Sequence, residues 1–371
     1  MQSSKLTSLT KLFLKLGIIG FGGPAAHIAL MKDEVVNKKA WMDEQHFLDL
    51  VGATNLIPGP NSTELAIHIG KERAGLKGLF LAGICFILPA VLITGFFAWL
   101  YKSYGSLPQI QPFMYGMKPA IIVVILAAIL PLAQKAFKST ELISIGIICL
   151  GLSFLGVHEI FILFGAGLLM MLWQNIKPTK GLNSFAAMLL LGNNQLLNET
   201  NLKLFLSFLK IGSILYGSGY VLFSFLDTEL VAQGLLSKQQ LMDAITVGQF
   251  TPGPVFSAVT FIGYQINGWS GALVSTIGIF LPSFLLVWLL NPLVPKMRQS
   301  TLFSHFLDAV NVASIALIAH TCYQMGETVI NDWRSIVILI SSILVVFFFK
   351  NINSVFIILG SALLGYTLMQ F

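Results

Sequence analysis

Charge is scarce in this chain. Asp, Glu, Lys and Arg make up only 10% of its 371 residues, apolar residues make up 56%, and the mean hydropathy is +0.82. Soluble globular domains carry roughly a quarter charged residues, so that class is excluded. Cysteine is scarcer still. Cys85, Cys149 and Cys322 stand alone in apolar segments without C-x-x-C spacing, which excludes a disulfide framework and a thiolate zinc site and leaves core packing as their role. The chain also lacks HExxH, GxSxG and GxxxxGK(S/T). No catalytic residue, metal site or cofactor is therefore expected, and without a nucleotide loop the energy source must be an ion gradient or the membrane potential. The net charge of +6 does not indicate nucleic acid, because its basic residues are scattered singly and in pairs between apolar runs, as in loops beside a membrane. Lys5, Lys11 and Lys15 lie among the first apolar residues with no clean cleavage site after them, so the N-terminus does not read as a removable signal.

Long apolar runs take the place of charge. They cover about 78–101, 113–134, 140–156, 158–174, 270–292, 303–322, 335–349 and 352–370, and a helix needs roughly 20 such residues to cross a bilayer. The runs are continuous rather than alternating, which favours helices over a barrel. The fold expected is an all-α integral membrane protein seated in the lipid bilayer, with about ten transmembrane helices plus broken or re-entrant segments.

Glycine and proline are plentiful, and their placement repeats. Phe13–Gly22 returns as Phe208–Gly217, Pro58-Gly-Pro60 as Pro252-Gly-Pro254, and Leu88-Pro89 as Leu281-Pro282. The offsets are 195 (217−22), 194 (252−58) and 193 (282−89). Such a repeat in an apolar chain indicates a transporter of two pseudo-symmetric halves: a first repeat over 1–176, a linker over 177–200 and a second repeat over 201–371. The apolar patch 185–191 inside the linker is too short to span and reads as an interfacial connector. Lys71, Arg73 and Lys77 lie in a loop whose partner, Tyr264–Ser270, has no basic residue, Lys135 and Lys138 answer to an acidic stretch, and the bias reverses between Lys102 and the pair Lys296 and Arg298. Opposite bias in equivalent loops implies repeats inverted across the membrane, with five crossings per half. The basic N-terminus conflicts with that topology unless the first segment is amphipathic or enters the membrane and returns. The sequence leaves both open.

Gly20-Phe-Gly-Gly-Pro24 and Pro58-Gly-Pro60 break apolar stretches, and broken backbone at membrane depth is tolerated only where it is buried or lines a wet cavity. Half-helix N-termini at such breaks attract anions. Asn61-Ser-Thr-Glu64 has helix-start chemistry. Its simpler role is capping. Its functional role is that amides and hydroxyls hold a desolvated oxyanion while Glu64 stands outside or carries a proton. Val255-Phe-Ser257 is far less polar, so half two is expected to be mainly a structural counterpart. The candidate binding set is Gly22, Gly23, His27, Asn61, Ser62, Thr63, Gly217, Ser218, Gly219, Thr251 and Gly253, with Glu64, His68 and Lys118 as candidate charge or proton sites. Structural roles compete for each histidine. Lys118 either faces a cavity or snorkels from its helix end, Lys15 and Lys210 share a role or snorkel, and Asp49 and Asp243 read as a symmetric pair of caps or helix-to-helix bonds rather than a relay.

Phe21-Gly-Gly-Pro24 with His27 and Trp41, then Ile57–Gly70, resembles the first half of the chromate ion transporter (CHR) family. Gly217–Tyr220, Val247–Phe256, Phe261–Gly263 and Gly278–Ser283 resemble its second half, in the two-domain form of the family. Ser218 departs from the glycine run usual there. The resemblance implies export of chromate from the cytoplasm across a cell (inner) membrane, with sulfate as a competing or alternative anion. Two other readings stand beside it: a sulfate or other oxyanion carrier, and a channel for a small neutral solute. A homodimer is left open.

Overall fold

A computed structural model describes residues 2–105, 107–175, 200–290, 297, 300–349 and 352–370. Its regular elements are all helical. The first half comprises α1 (Gln2–Ile19), α2 (Gly23–Lys32) with a π-helical continuation over Asp33–Lys38, α3 (Glu44–Thr54), α4 (Asn61–Tyr104), α5 (Gln111–Ala136), α6 (Thr140–Phe154) and α7 (Glu159–Asn175). The second half comprises α8 (Thr200–Ile214), a 3-10 turn over Gly219–Val221, α9 (Leu222–Leu226) with a π-helical continuation over Asp227–Val231, and α10 (Lys238–Phe250). A 3-10 turn over Val255–Ser257 then leads into α11 (Ala258–Leu290), followed by α12 (Thr301–Val329), α13 (Trp333–Phe348) and α14 (Ser354–Leu368). Asn61–Tyr104, Gln111–Ala136, Val255–Leu290 and Thr301–Val329 are long and apolar enough to cross a membrane, and four shorter apolar helices accompany them. The chain is a multi-pass, all-α membrane protein. The linker expectation over 177–199 and the charges at 296 and 298 lie outside the described residues.

The N-terminal segment reverses direction on itself. α1 gives way at Gly20, and Gly22 (φ 99°) and Gly23 (φ 77°) reverse the chain in a left-handed conformation that only glycine adopts freely. Glu34 then lies 2.7 Å from Lys15. Nineteen residues of continuous helix would have set those groups about 28 Å apart. The second half repeats the device with Lys210 and Glu229, 2.5 Å apart and again 19 residues apart in sequence. The shared role of Lys15 and Lys210 is thus an ion pair that fastens each returning arm. The hydrogen bond from Lys15 holds the Glu34 carboxyl below its ordinary value, against the opposing effect of burial.

α4 and α11 are each two helices joined by a sharp turn. Ala74 and Gly75 leave helical geometry at φ/ψ −147°/24° and 64°/−150°, and Asn267 and Gly268 do so at −139°/34° and 61°/−151°. The arms fold back so closely that a methyl group on Gly70 would overlap the carbonyl of Gly78, and one on Gly263 that of Gly271. Trp41, under the Arg73 guanidinium at 4.7 Å, closes the outer end of the first hairpin.

The long arms of these equivalent helices pack against each other in opposite directions. Phe80 stacks on Phe284 with centroids 5.7 Å apart, whereas Gly95, further along α4, meets Trp269, earlier in α11. Around this centre the remaining helices turn apolar faces outward, with Ile147, Leu155, Phe161, Phe347, Phe348 and Phe356 all exposed, as suits lipid contact. The three cysteines are buried and unbridged.

Because each hairpin closes on glycine alone, Gly70→Ala and Gly263→Ala should each lower stability by about 1–3 kcal/mol, read as a lower midpoint of thermal unfolding in detergent. Gly165→Ala on α7, where a methyl meets open space, should leave the midpoint unchanged or slightly higher.

Candidate functional site

Each half has a Pro-Gly-Pro tip, and each tip is received by the other half. Gly59 (φ 136°) donates its N–H to the carbonyl of Leu215 at 2.8 Å, and Gly253 (φ 91°) donates to the carbonyl of Gly20 at 2.7 Å. Leu215 and Gly20 are equivalent positions, at the breaks that follow α8 and α1. The same glycines face equivalent positions on the opposite long helix. A Cβ at Gly253 would fall 2.5 Å from that of Ala90, and one at Gly59 would fall 2.7 Å from Ser283 Oγ. Each proline-broken tip therefore meets the glycine-rich break of the other half.

At the first tip, Pro60 is the N-cap of α4 and no side chain caps the helix. The capping role expected of Asn61–Glu64 is corrected. These residues occupy the first turn itself, and the Asn61 amide instead donates to Asn55 Oδ1 at 2.8 Å, bridging back to α3. Ser62, Thr63, Glu64 and His68 are buried. Thr63 Oγ1, both Glu64 carboxylate oxygens and Ser283 Oγ have no hydrogen-bond partner.

The second tip is more polar than Val255-Phe-Ser257 implies. Thr94, from the first half's α4, places its hydroxyl 3.4 Å from that of Thr251 and 3.3 Å from that of Ser257, and all three are buried. Half two therefore supplies buried hydroxyls at its own tip. Thr94 carries no motif signal, since it sits in an apolar run 34 residues (94−60) beyond the tip of its own half and meets the other tip only through the fold.

The glycine-rich breaks frame the tips. Gly23 lies against the Tyr220 hydroxyl, and Gly217 (φ 94°) against Ser314, whose hydroxyl donates to the Tyr216 carbonyl at 3.0 Å. Ser218 accepts from the Tyr220 N–H at 3.4 Å, with Gly219 opening the 3-10 turn. His27 packs edge-on against Phe86 and lies 3.0 Å from the Gly20 carbonyl. A carbonyl only accepts, so Nε2 carries the hydrogen, and His27 supports the same oxygen that receives Gly253.

Lys118 neither snorkels nor faces an open cavity. Its ammonium lies 2.7 Å from Asp243 on α10, with both side chains almost fully buried, and the Tyr101 hydroxyl donates to the same carboxylate at 2.5 Å. The triad joins α4 and α5 of one half to the arm that carries the other half's tip. Of the two expectations for Asp243, a cap or a helix-to-helix bond, the structure has the second, and no local pattern pointed to its partners.

The family model described as chromate transporter matches the chain twice, over residues 7–171 and 202–366. The chromate transport protein of Cupriavidus metallidurans is 30% identical over 97% of this chain and 92% of its own length. A protein of Synechococcus elongatus named as a probable chromate transport protein is 31% identical over 88% and 86%. An uncharacterized transporter of Methanocaldococcus jannaschii is 32% identical over 96% and 93%. No solved structure gives a significant match.

The buried pair is testable through its charge balance. Lys118→Met leaves Asp243 unpaired in an apolar interior, a loss of about 3–5 kcal/mol, and should sharply lower the unfolding midpoint. Adding Asp243→Asn, which keeps an acceptor for Tyr101, should recover most of that loss.

Proposed function

The chain belongs to the chromate transporter family, and from that membership we propose that it exports chromate from the cytoplasm across the plasma (inner) membrane. The anion is held between the two proline-broken tips. The observation that carries this reading is that helices begin at both tips, behind Pro60 and Pro254, with no side chain bonded to their first amides. Free amides at the positive end of a helix, within apolar surroundings, suit an anion that has left its water behind. Ser62 and Thr63 at one tip, and Thr94, Thr251 and Ser257 at the other, add hydroxyl donors. Gly22, Gly23, Gly217 and Gly253 let backbone approach closely. Asn61, Ser218, Gly219 and His27 shape this frame rather than face the anion, and Lys118 acts on it through Asp243.

Antiparallel packing of the equivalent long helices supports an inverted repeat whose axis lies in the membrane plane. The basic residues Lys71, Arg73 and Lys77 near the end of the first hairpin favour the cytoplasmic side for that end. Rocking of the hairpins about the tips then exposes the site to each side in turn. Membrane potential supplies the direction, since moving a dianion out of a negative interior gains roughly 4.6 kcal/mol per 100 mV. Sulfate, a tetrahedral dianion of similar size, meets the same amides and hydroxyls and should compete.

Ser62→Ala and Thr63→Ala each remove a hydroxyl donor to a charged ligand, worth about 1.5–3 kcal/mol, or roughly ten- to a hundredfold in apparent chromate affinity. Counterflow of labelled chromate in proteoliposomes, at equal protein levels, measures this. Flux indifferent to an imposed potential, or unaltered in both variants, would remove the potential-driven site from these tips.

A further inference from the structure

The two tips differ in charge. Glu64 is completely buried in the first turn of α4, and neither carboxylate oxygen has a hydrogen-bond partner. Among the described residues no Lys, Arg or His nitrogen forms an ion pair with it. The groups around it are few. Ser283 Oγ on α11 is also buried, has no other partner, and converges with Glu64 Oε1 on the space left by Gly59, near enough to interact with the carboxyl. Tyr216, from the break after α8, is close enough to interact electrostatically with it. His68 lies one turn further along the same helix. Neither hydroxyl carries a charge that could balance a carboxylate.

A bare carboxylate cannot persist in such surroundings without a compensating charge. The helix N-terminus supplies the equivalent of about half a positive charge. A dianion arriving at the amides one turn away makes the imbalance worse. We propose that Glu64 and Ser283 form a site for one monovalent cation, a proton or a sodium ion, which is filled whenever the anion is bound and leaves with it. The inference rests on the transport reading above and sets its stoichiometry. A cation that neutralises Glu64 raises the affinity of the adjacent anion site, and by reciprocity the anion raises the affinity for the cation. The two ligands therefore bind together. Exchange of an incoming proton for the outgoing anion would require Glu64 to be emptied as the dianion arrives, setting three negative charges within a turn of helix. With one cation aboard, each chromate carries one net negative charge instead of two.

Equilibrium accumulation separates these cases. The full-length protein is reconstituted in liposomes clamped by potassium and valinomycin at a tenfold potassium gradient, with equal pH and sodium on both sides. One net charge per chromate gives about tenfold accumulation and two give about a hundredfold. The expected end points are about tenfold for the wild type and about a hundredfold for Glu64→Gln, which keeps the shape and removes the charge. At zero potential, a pH gradient alone should drive wild-type chromate if the cation is a proton, and a sodium gradient alone if it is sodium. A wild-type end point near a hundredfold, an end point unchanged in Glu64→Gln, or failure of both gradients to drive flux overturns the cation site. Absence of any wild-type chromate flux overturns the transport reading itself, and the cation site with it.

Discussion

Two hydrogen bonds, from Gly59 to Leu215 and from Gly253 to Gly20, set the terms for the rest of this structure. A helix broken in an apolar interior leaves backbone donors and acceptors without partners, and each such group costs several kcal/mol where no water reaches it. Here each half carries one break that lacks a donor and one tip that lacks an acceptor. Each tip N–H is met by the break of the other half, and at Gly20 the carbonyl also accepts from His27 of its own half. The glycine at the tip is obligatory for a geometric reason: at φ 136° or 91°, and with Ser283 or Ala90 pressed against it, no other residue fits. Glycine and proline abundance in so apolar a chain follows from this arrangement, because the reversals at Gly22 and the folded hairpins at Gly75 and Gly268 are what bring the tips inward.

Most of this frame was legible in the sequence because it is written in backbone chemistry. Pro-Gly-Pro and the glycine-rich runs announce breaks by what they cannot do, and their recurrence at nearly constant offset announces two copies. The return of α2 was left open, since apolar periodicity does not tell whether a chain reverses. What decides it is the ion pair between Lys15 and Glu34, and its copy between Lys210 and Glu229 was visible only as a lysine equivalence. The hairpins within α4 and α11 were hidden for a related reason. Gly70 and Gly78 look like ordinary helix glycines until the chain folds them together.

The site was legible in part. Residues adjacent to the breaks could be named because motif and position coincide. Groups that reach a tip from the opposite half could not, because contact across 157 or 163 residues, as between Thr94 and Thr251 or Ser257, leaves no local pattern. Ser283 and Tyr216 escaped in the same way. Charge misled in one instance: Asn61–Glu64 has the composition of a cap, yet Pro60 holds the cap position and lacks a side chain that can serve, so the oxygens that would have capped the helix remain inside the first turn.

Backbone symmetry and side-chain symmetry part company at these same places. Lys118 corresponds to Asn311, Glu64 to Ala258, Ser283 to Ala90 and Thr94 to Val287. If the halves were identical, the two arrangements proposed for the transport cycle would be mirror versions of one another and equal in energy, since exchanging the halves converts one into the other. Only residues that break the repeat can separate them. The bond between Lys118 and Asp243 is such a residue pair. It fastens the second tip's arm to α4 and α5, while the position equivalent to Lys118 is the uncharged Asn311. A buried ion pair contributes little net stability compared with apolar packing of the same volume. Its effect here is discrimination: it forms with α10 docked against α4 and α5, and the repeat does not reproduce its lysine in the other half.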